Sequence, residues 1–382
     1  MIESAIRSNA FEELAAAAAA IRNPALEEWL AEGRPVVGHF CSHVPTEVLT
    51  AAGALPYRMR GTGSTGTELA DAYFSHLNCS FVRHTFNQAL RGEYDFLSGL
   101  VCVSSCDHVR RVYDNWKRQI DTPFITIMAL PKKVGDPQVA WYREEIELLA
   151  RAVGEHFGVE ITDERLADAI RLHNRTRALQ RELYALRKAS RPPITGAEAL
   201  AVMVAGTSMP RDRYNQLLEE LIRDLKAGGE GNGDYRARLM IVGSELDDPE
   251  YVGVIESQGG LIVTDSICFG TRTMWVDVDE SDDPISALAR YYIQERPSCP
   301  RMNEDQPRRA RFLRELIDEF SVDGVIGERM MFCDVWCAEH YMNALDFKEQ
   351  GVPFLQLDRE YLMSGKGQLR TRVQAFLESM GK

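Results

Sequence analysis

Cysteine is the side chain with most chemistry to offer in this 382-residue chain, and three of its eight copies sit in settings that suit a metal. Cys79 lies in NCSFVRH over 78–84, Cys106 in VSSCDHVRR over 103–111, and Cys333 in RMMFCDVW over 329–336. Cys106 and Cys333 are each followed by Asp, and each is predicted where a buried strand hands over to a helix. That edge of an α/β sheet is where such folds place ligands. A helix N-terminus also favours thiolate and other anions through its free N–H groups and its dipole. The pattern points to a redox-active iron–sulfur site assembled by folding rather than by a local clip. Zinc is the competing metal, but structural zinc draws on close ligand pairs, and here no close cysteine pair joins a second in a finger pattern. Cys102 falls inside an apolar run and reads as a core thiol, and Cys337 follows Trp336 within a helical stretch.

Two further groups are candidates. His43 and Glu47, in CSHVPTEVL over 41–49, follow the first strand and could move a proton in a cleft. GTGSTG over 61–66 has the glycine spacing of a dinucleotide loop, yet no acidic residue ends a second strand about 20 residues on. The alternatives are a plain turn, or a loop in which Gly61 and Gly63 let the backbone approach a phosphate beside Arg58 and Arg60. No G-x-x-x-x-G-K-[ST] run occurs, so ATP hydrolysis through a P-loop is not expected of this chain.

These residues need a scaffold, and the composition supplies a globular one: 45% of the chain is hydrophobic and 26% charged. A net charge of −13 argues against nucleic acid as a partner. No apolar run is long enough to span a membrane. The acidic start MIESAIRSNAFEEL is no secretory signal, so the expected location is cytoplasmic, where cysteines stay reduced.

Residues 1–33 read as an N-terminal helical segment broken near Asn23-Pro24. Residues 34–140 read as a first α/β domain, with short apolar runs at 35–40, 54–61, 96–105 and 123–130. Residues 141–235 are a helical connector in which Thr195 and Glu198 form a predicted capping box. Residues 236–382 form a second α/β domain, with runs at 238–249, 260–270, 322–329 and 352–361. Cys79 and Cys106 belong to the first domain and Cys333 to the second, which places a shared site in the cleft between them.

Taken together, HFCSHVPTEVLTAAGALPYRMRG (39–61), NCSFVRH, SSCDHVRR, LADAIRLHNRTRALQRELYALRK (166–188), DSICFGTR (265–272), RPSCPRM (296–302) and DGVIGERMMFCD (323–334) resemble the benzoyl-CoA reductase / 2-hydroxyacyl-CoA dehydratase family over nearly the whole chain. The resemblance implies two flavodoxin-like, Rossmann-like parallel-sheet domains. It implies an oxygen-sensitive enzyme whose [4Fe–4S] cluster is held by Cys79, Cys106 and Cys333, with Cys41 as a nearby polar group or an alternative ligand. It also implies a homologous larger subunit, an ATP-hydrolysing activator subunit, ferredoxin upstream and an acyl-CoA substrate. Size, the CSHVPTE start and the arginine-rich composition lean towards the smaller, cluster-bearing subunit of benzoyl-CoA reductase, an oxidoreductase yielding a cyclic diene. The alternatives are a dehydratase, a lyase working through a ketyl radical, and a low-potential electron carrier acting on a small substrate without CoA.

Overall fold

The computed structural model describes residues 8–228, 231–280 and 283–382, so the first seven residues of the N-terminal segment lie outside it. It contains two four-stranded parallel sheets. In the first, β1 (Val36–His39), β2 (Leu55–Arg58), β3 (Gly99–Val103) and β4 (Ile125–Met128) stand in the order β2-β1-β3-β4. In the second, β5 (Ala237–Gly243), β6 (Gly260–Ser266), β7 (Gly324–Met330) and β8 (Phe354–Arg359) stand in the order β6-β5-β7-β8. The same topology thus occurs twice, and it is the flavodoxin-like one. Every residue of β1, β2, β3, β5 and β6 is buried, as expected of short strands covered on both faces.

Winding reverses between β1 and β3 in one sheet and between β5 and β7 in the other. At such a switch point, loops leave adjacent strands in opposite directions and open a crevice beyond the carboxyl ends. Cys41 follows β1, Cys106 follows β3 and Cys333 follows β7. Topology alone therefore carries three cysteines to two switch points.

The helices make the frame. α1 (Asn9–Ala19) and α2 (Pro24–Ala31) part at Asn23, whose side chain accepts from Leu26 N at 2.9 Å while Pro24 opens the helix. α6 (Asp136–Phe157), α7 (Asp163–Leu186), α8 (Gly196–Ala205) and α9 (Arg211–Ala227) join the two sheets. The Thr195 capping box forms: Glu198 N donates to Thr195 Oγ1 at 3.2 Å, and Thr195 N donates to Glu198 Oε2 at 2.7 Å. α8 is buried almost throughout, packed against α1 and α10 (Pro249–Glu256). The alanine run of α1 is the other half of that contact, since Ala10, Ala17 and Ala18 are small enough to let the helices close.

No helix of the described residues is long and apolar enough to cross a membrane.

Candidate metal centre and its surroundings

Cys79, Cys106 and Cys333 share one structural position. Each is the residue immediately before a helix: α4 (Ser80–Leu90), α5 (Asp107–Gln119) and α13 (Asp334–Gln350) respectively. None of the three side chains forms a full capping hydrogen bond, but the first-turn N–H groups of Phe81 and Val82 favour the Cys79 thiolate and that of Trp336 the Cys333 thiolate. All three thiols meet in one apolar cluster with Phe81, Val109 and Met330.

One imidazole ties the three loops together. Asn78 Nδ2, beside Cys79, donates to His108 Nδ1 at 3.0 Å. His108 Nε2, on the second residue of α5, donates to Phe332 O at 2.8 Å, beside Cys333. This pairing fixes the tautomer with hydrogen on Nε2. Phe332 itself is held at φ 63°, left-handed backbone that a bulky residue rarely adopts, and Cys41 is held at φ 75°. Sequence reasoning does not single out His108 or Asn78, although both lie within two residues of a cysteine.

The local charge suits an anionic centre. Arg301 Nε donates to Ser105 O at 3.0 Å, and Arg301 lies within electrostatic reach of Cys299, Cys106, Cys41 and Cys333. Lys132 Nζ donates to Ser104 O at 2.9 Å and Ser105 O at 3.0 Å. Burial, with Cys106 close by, pushes the Cys79 thiol up to about 12. Burial and Cys79 likewise raise Cys333. Such thiols are protonated at neutral pH until a metal displaces the proton. Among the described residues, no group of three or more His, Cys, Asp or Glu is gathered closely enough for a single ion. Three thiols from three helix N-termini, beside arginine and lysine, fit a thiolate-held anionic cluster.

Three more thiols surround this centre. Cys41, Cys268 and Cys299 are buried. Arg272 Nη2 donates to Cys268 Sγ at 3.0 Å, Arg301 Nη1 donates to Cys299 Sγ at 3.3 Å, and Arg58 Nη1 donates to Cys268 O at 2.9 Å. Burial works against the Cys299 thiolate, but Arg301 and Arg272 outweigh it and lower that thiol. Sulfur ligands beyond three are thus at hand around the same guanidiniums. Cys268 and Cys299 each stand alone in the sequence, which hides them from a reading by spacing. Their signal there is the arginine that follows within four residues. Cys102 is fully buried in β3, while Cys337 is exposed on α13 and accepts from Arg329 Nη1 at 3.2 Å.

His43 Nδ1 lies 3.5 Å from Cys41 Sγ, and its backbone oxygen accepts from Tyr142 OH. Burial, then Arg296, Arg301, Lys132 and Arg272, hold His43 well below its ordinary value, so it is neutral. Glu47 is fully buried, with Arg177 Nη2 donating to one oxygen and Tyr292 OH to the other at 2.8 Å. Burial would raise its carboxyl, but Arg177, His173 and the Arg177 hydrogen bond together bring it to about 2. Both oxygens are engaged, which is the geometry of a structural carboxylate.

The glycine-rich loop is turned inwards. Arg60 is 1% exposed and donates to Ala18 O at 2.9 Å and Ala20 O at 3.3 Å. Arg58 pairs with Glu245 at 2.7 Å and stacks 3.9 Å over Phe269. Gly61 N donates to Tyr361 OH at 2.9 Å, and a Cβ at Gly61 would stand 2.6 Å from the Tyr361 ring. Gly63 has φ +72°. Tyr361 OH in turn donates to Asp247 Oδ2 at 2.7 Å. The loop therefore joins the two domains, and no helix opens from residues 61–66, so the dinucleotide alternative does not hold. Arg60 is anchored on the backbone oxygens of Ala18 and Ala20, whereas Arg58 lines a cavity of about 90 Å3 between the domains, together with Ser42 and Cys268.

Fold and site together define a two-domain, flavodoxin-like α/β protein with three helix-leading cysteines in one apolar cluster and an arginine-lined cavity between its domains. Residues 41–380 match the family 2-hydroxyglutaryl-CoA dehydratase, D-component, and the chain belongs to that family. It is 29% identical over 359 residues to "Putative dehydratase subunit YjiM" of Escherichia coli, covering 91% of this chain and 92% of that protein. It is 26% identical over 353 residues to the (R)-phenyllactyl-CoA dehydratase beta subunit of Clostridium sporogenes, covering 91% and 92%. It is also 26% identical over 354 residues to a benzoyl-CoA reductase subunit of Thauera aromatica, covering 91% of each.

Proposed function

We propose that this chain is the cluster-bearing subunit of a benzoyl-CoA reductase, with a [4Fe–4S] cluster held by Cys79, Cys106 and Cys333. The observation that carries the metal site is the joining of three cysteine-led helix N-termini by the Asn78–His108–Phe332 chain. The acyl-CoA thioester substrate is supported by the relatives' names, which include a benzoyl-CoA reductase subunit and acyl-CoA dehydratase subunits. When bound, the cluster supplies single electrons of low potential. The chain's own residues hold it: the first-turn N–H groups, Arg301 and Lys132 offset its negative charge, and His108 keeps the three loops in register. The relatives are named as subunits, which supports a homologous partner chain here. An ATP-driven activator fed by ferredoxin completes the reading.

A second reading, electron delivery to a small substrate without CoA, is favoured by the size of the cavity beside Cys268, about 90 Å3. A 2-hydroxyacyl-CoA dehydratase role shares the metal site and differs in the acyl group and in outcome: water is lost with no net reduction, whereas the reductase adds electrons and protons to the ring.

The test is anaerobic. Cys79→Ser, Cys106→Ser and Cys333→Ser should each lose most of the iron, while Cys102→Ser keeps it. Iron retained in all three would end the assignment. Turnover with benzoyl-CoA against a 2-hydroxyacyl-CoA, with partner and activator present, then separates reductase from dehydratase. Turnover of neither leaves the small-substrate reading standing.

A further inference from the structure

We propose that the cavity between the domains binds a small monoanion, a carboxylate or oxyanion of a few heavy atoms, on Arg211 and Arg296. The cavity is walled by Arg58, Arg177, Arg211 and Arg296 with His39 and His173, and no Asp or Glu among the described residues lines it. Two of the guanidiniums have their counter-ions behind the wall: Arg58 has Glu245 at 2.7 Å, and Arg177 has Glu47. The other two do not. Arg296 is 3% exposed and donates only to Ser42, at 2.6 Å to its backbone oxygen and 3.2 Å to its hydroxyl, with Tyr292 under its face at 5.2 Å. Its Nε is buried with no hydrogen-bond partner. Arg211 donates from Nη1 to Gly206 O at 2.6 Å. Neither meets a carboxylate among the described residues.

A guanidinium taken from water without an anion is costly. Burial lowers Arg211 from its ordinary value, against the pull of Tyr214 and Glu47. The two imidazoles add no charge: burial, with Arg58 next to it, brings His39 to about 3, and burial brings His173 to about 3 against the pull of Glu47 and with the help of Arg211 and Arg177. The wall therefore carries two uncompensated positive groups facing a space of about 90 Å3. An apolar cavity of about 150 Å3 admits benzene. This smaller, charged one has room for a few heavy atoms and selects for negative charge. Tyr291–Glu295, a π-helical turn, aims Tyr291 and Tyr292 at the same space and supplies its apolar side.

This inference deepens the small-substrate reading of function, but its measurement does not depend on turnover. Sodium formate is titrated calorimetrically into the anaerobically purified full chain, with formamide as a neutral molecule of the same shape and benzoate as an anion too large for the space. Formate should bind, and formamide and benzoate should not. Arg211→Gln and Arg296→Gln should each weaken formate about tenfold or more, while Arg211→Lys keeps most of the affinity. Equal binding of formamide, absence of formate binding, or unchanged affinity in a folded Arg211→Gln would overturn the proposal. If Arg296→Gln does not fold, Arg211→Gln decides. Iron is measured on the same samples, so loss of the metal reading and loss of the anion site are told apart.

Discussion

Glu47 shows what a single side chain can and cannot reveal. Its type and place after the first strand suit a proton carrier, but spacing cannot say whether a carboxylate faces a cleft or an arginine inside the core. Here Arg177 and Tyr292 hold it. Removing one partner of a buried pair strands the other, so Glu47→Gln should destabilise the protein by about 3–5 kcal/mol in denaturant titrations. The sign with pH follows from the direction of its shift. The folded carboxyl titrates at about 2 against an ordinary 4.5, so its contribution is present above 4.5 and lost as pH falls towards 2. Glu47→Gln should flatten that part of the acid limb, and an unchanged limb would mean the carboxylate is not paired in solution. His108 is the opposite lesson. It carries no motif, yet it reaches two other cysteine loops. His108→Leu should fold but lose iron, read as iron per chain at unchanged far-UV circular dichroism.

At the level of elements, most of the fold was legible. Short Val-, Ile- and Leu-rich runs between helical stretches mark buried parallel strands, and Thr195-x-x-Glu198 marks a helix start that forms as expected. Replacing that cap by Thr195→Ala should cost about 1 kcal/mol. The GTGSTG run was misleading because glycine spacing reports backbone freedom and not its use. Its freedom serves a close approach to Tyr361 from the other domain. Phe332 could not be read from sequence at all, since its left-handed backbone is imposed by the turn between β7 and α13. It is 39% exposed and so contributes little packing. Phe332→Gly should therefore raise the stability of the metal-free protein by roughly 1 kcal/mol through relief of backbone strain, measured by thermal unfolding. A lower melting temperature would show that the ring anchors the loop.

The molecule as a whole buries several histidines in uncharged form. Burial leads in each case, bringing His39 and His173 to about 3 and His84 to about 4, and lowering His43 well below its ordinary value. On unfolding, all four regain an ordinary value near 6.5. The unfolded chain then binds more protons than the folded one as soon as pH drops below about 6.5, so stability falls from there downward. Acid unfolding should begin near pH 6.5 and not at the carboxylate range, and urea midpoints taken across pH 4–7 check it. That a cavity lies between the domains was legible at this scale too, because two α/β series joined by helices predict a cleft. The arginine pairing that lines the cleft was not, since its members come from residues 58, 177, 211 and 296, four separate stretches of chain.

The bond from His108 to Phe332 spans 224 residues of sequence. A ribosome adding about 5–20 residues each second finishes the first two cysteine loops roughly 10–45 s before the third exists. During that interval Cys79 and Cys106 belong to a half-built cleft open to oxidants and stray metals. Loading of the proposed cluster is then a matter of timing: it would follow translation, at a cleft whose last wall has just closed.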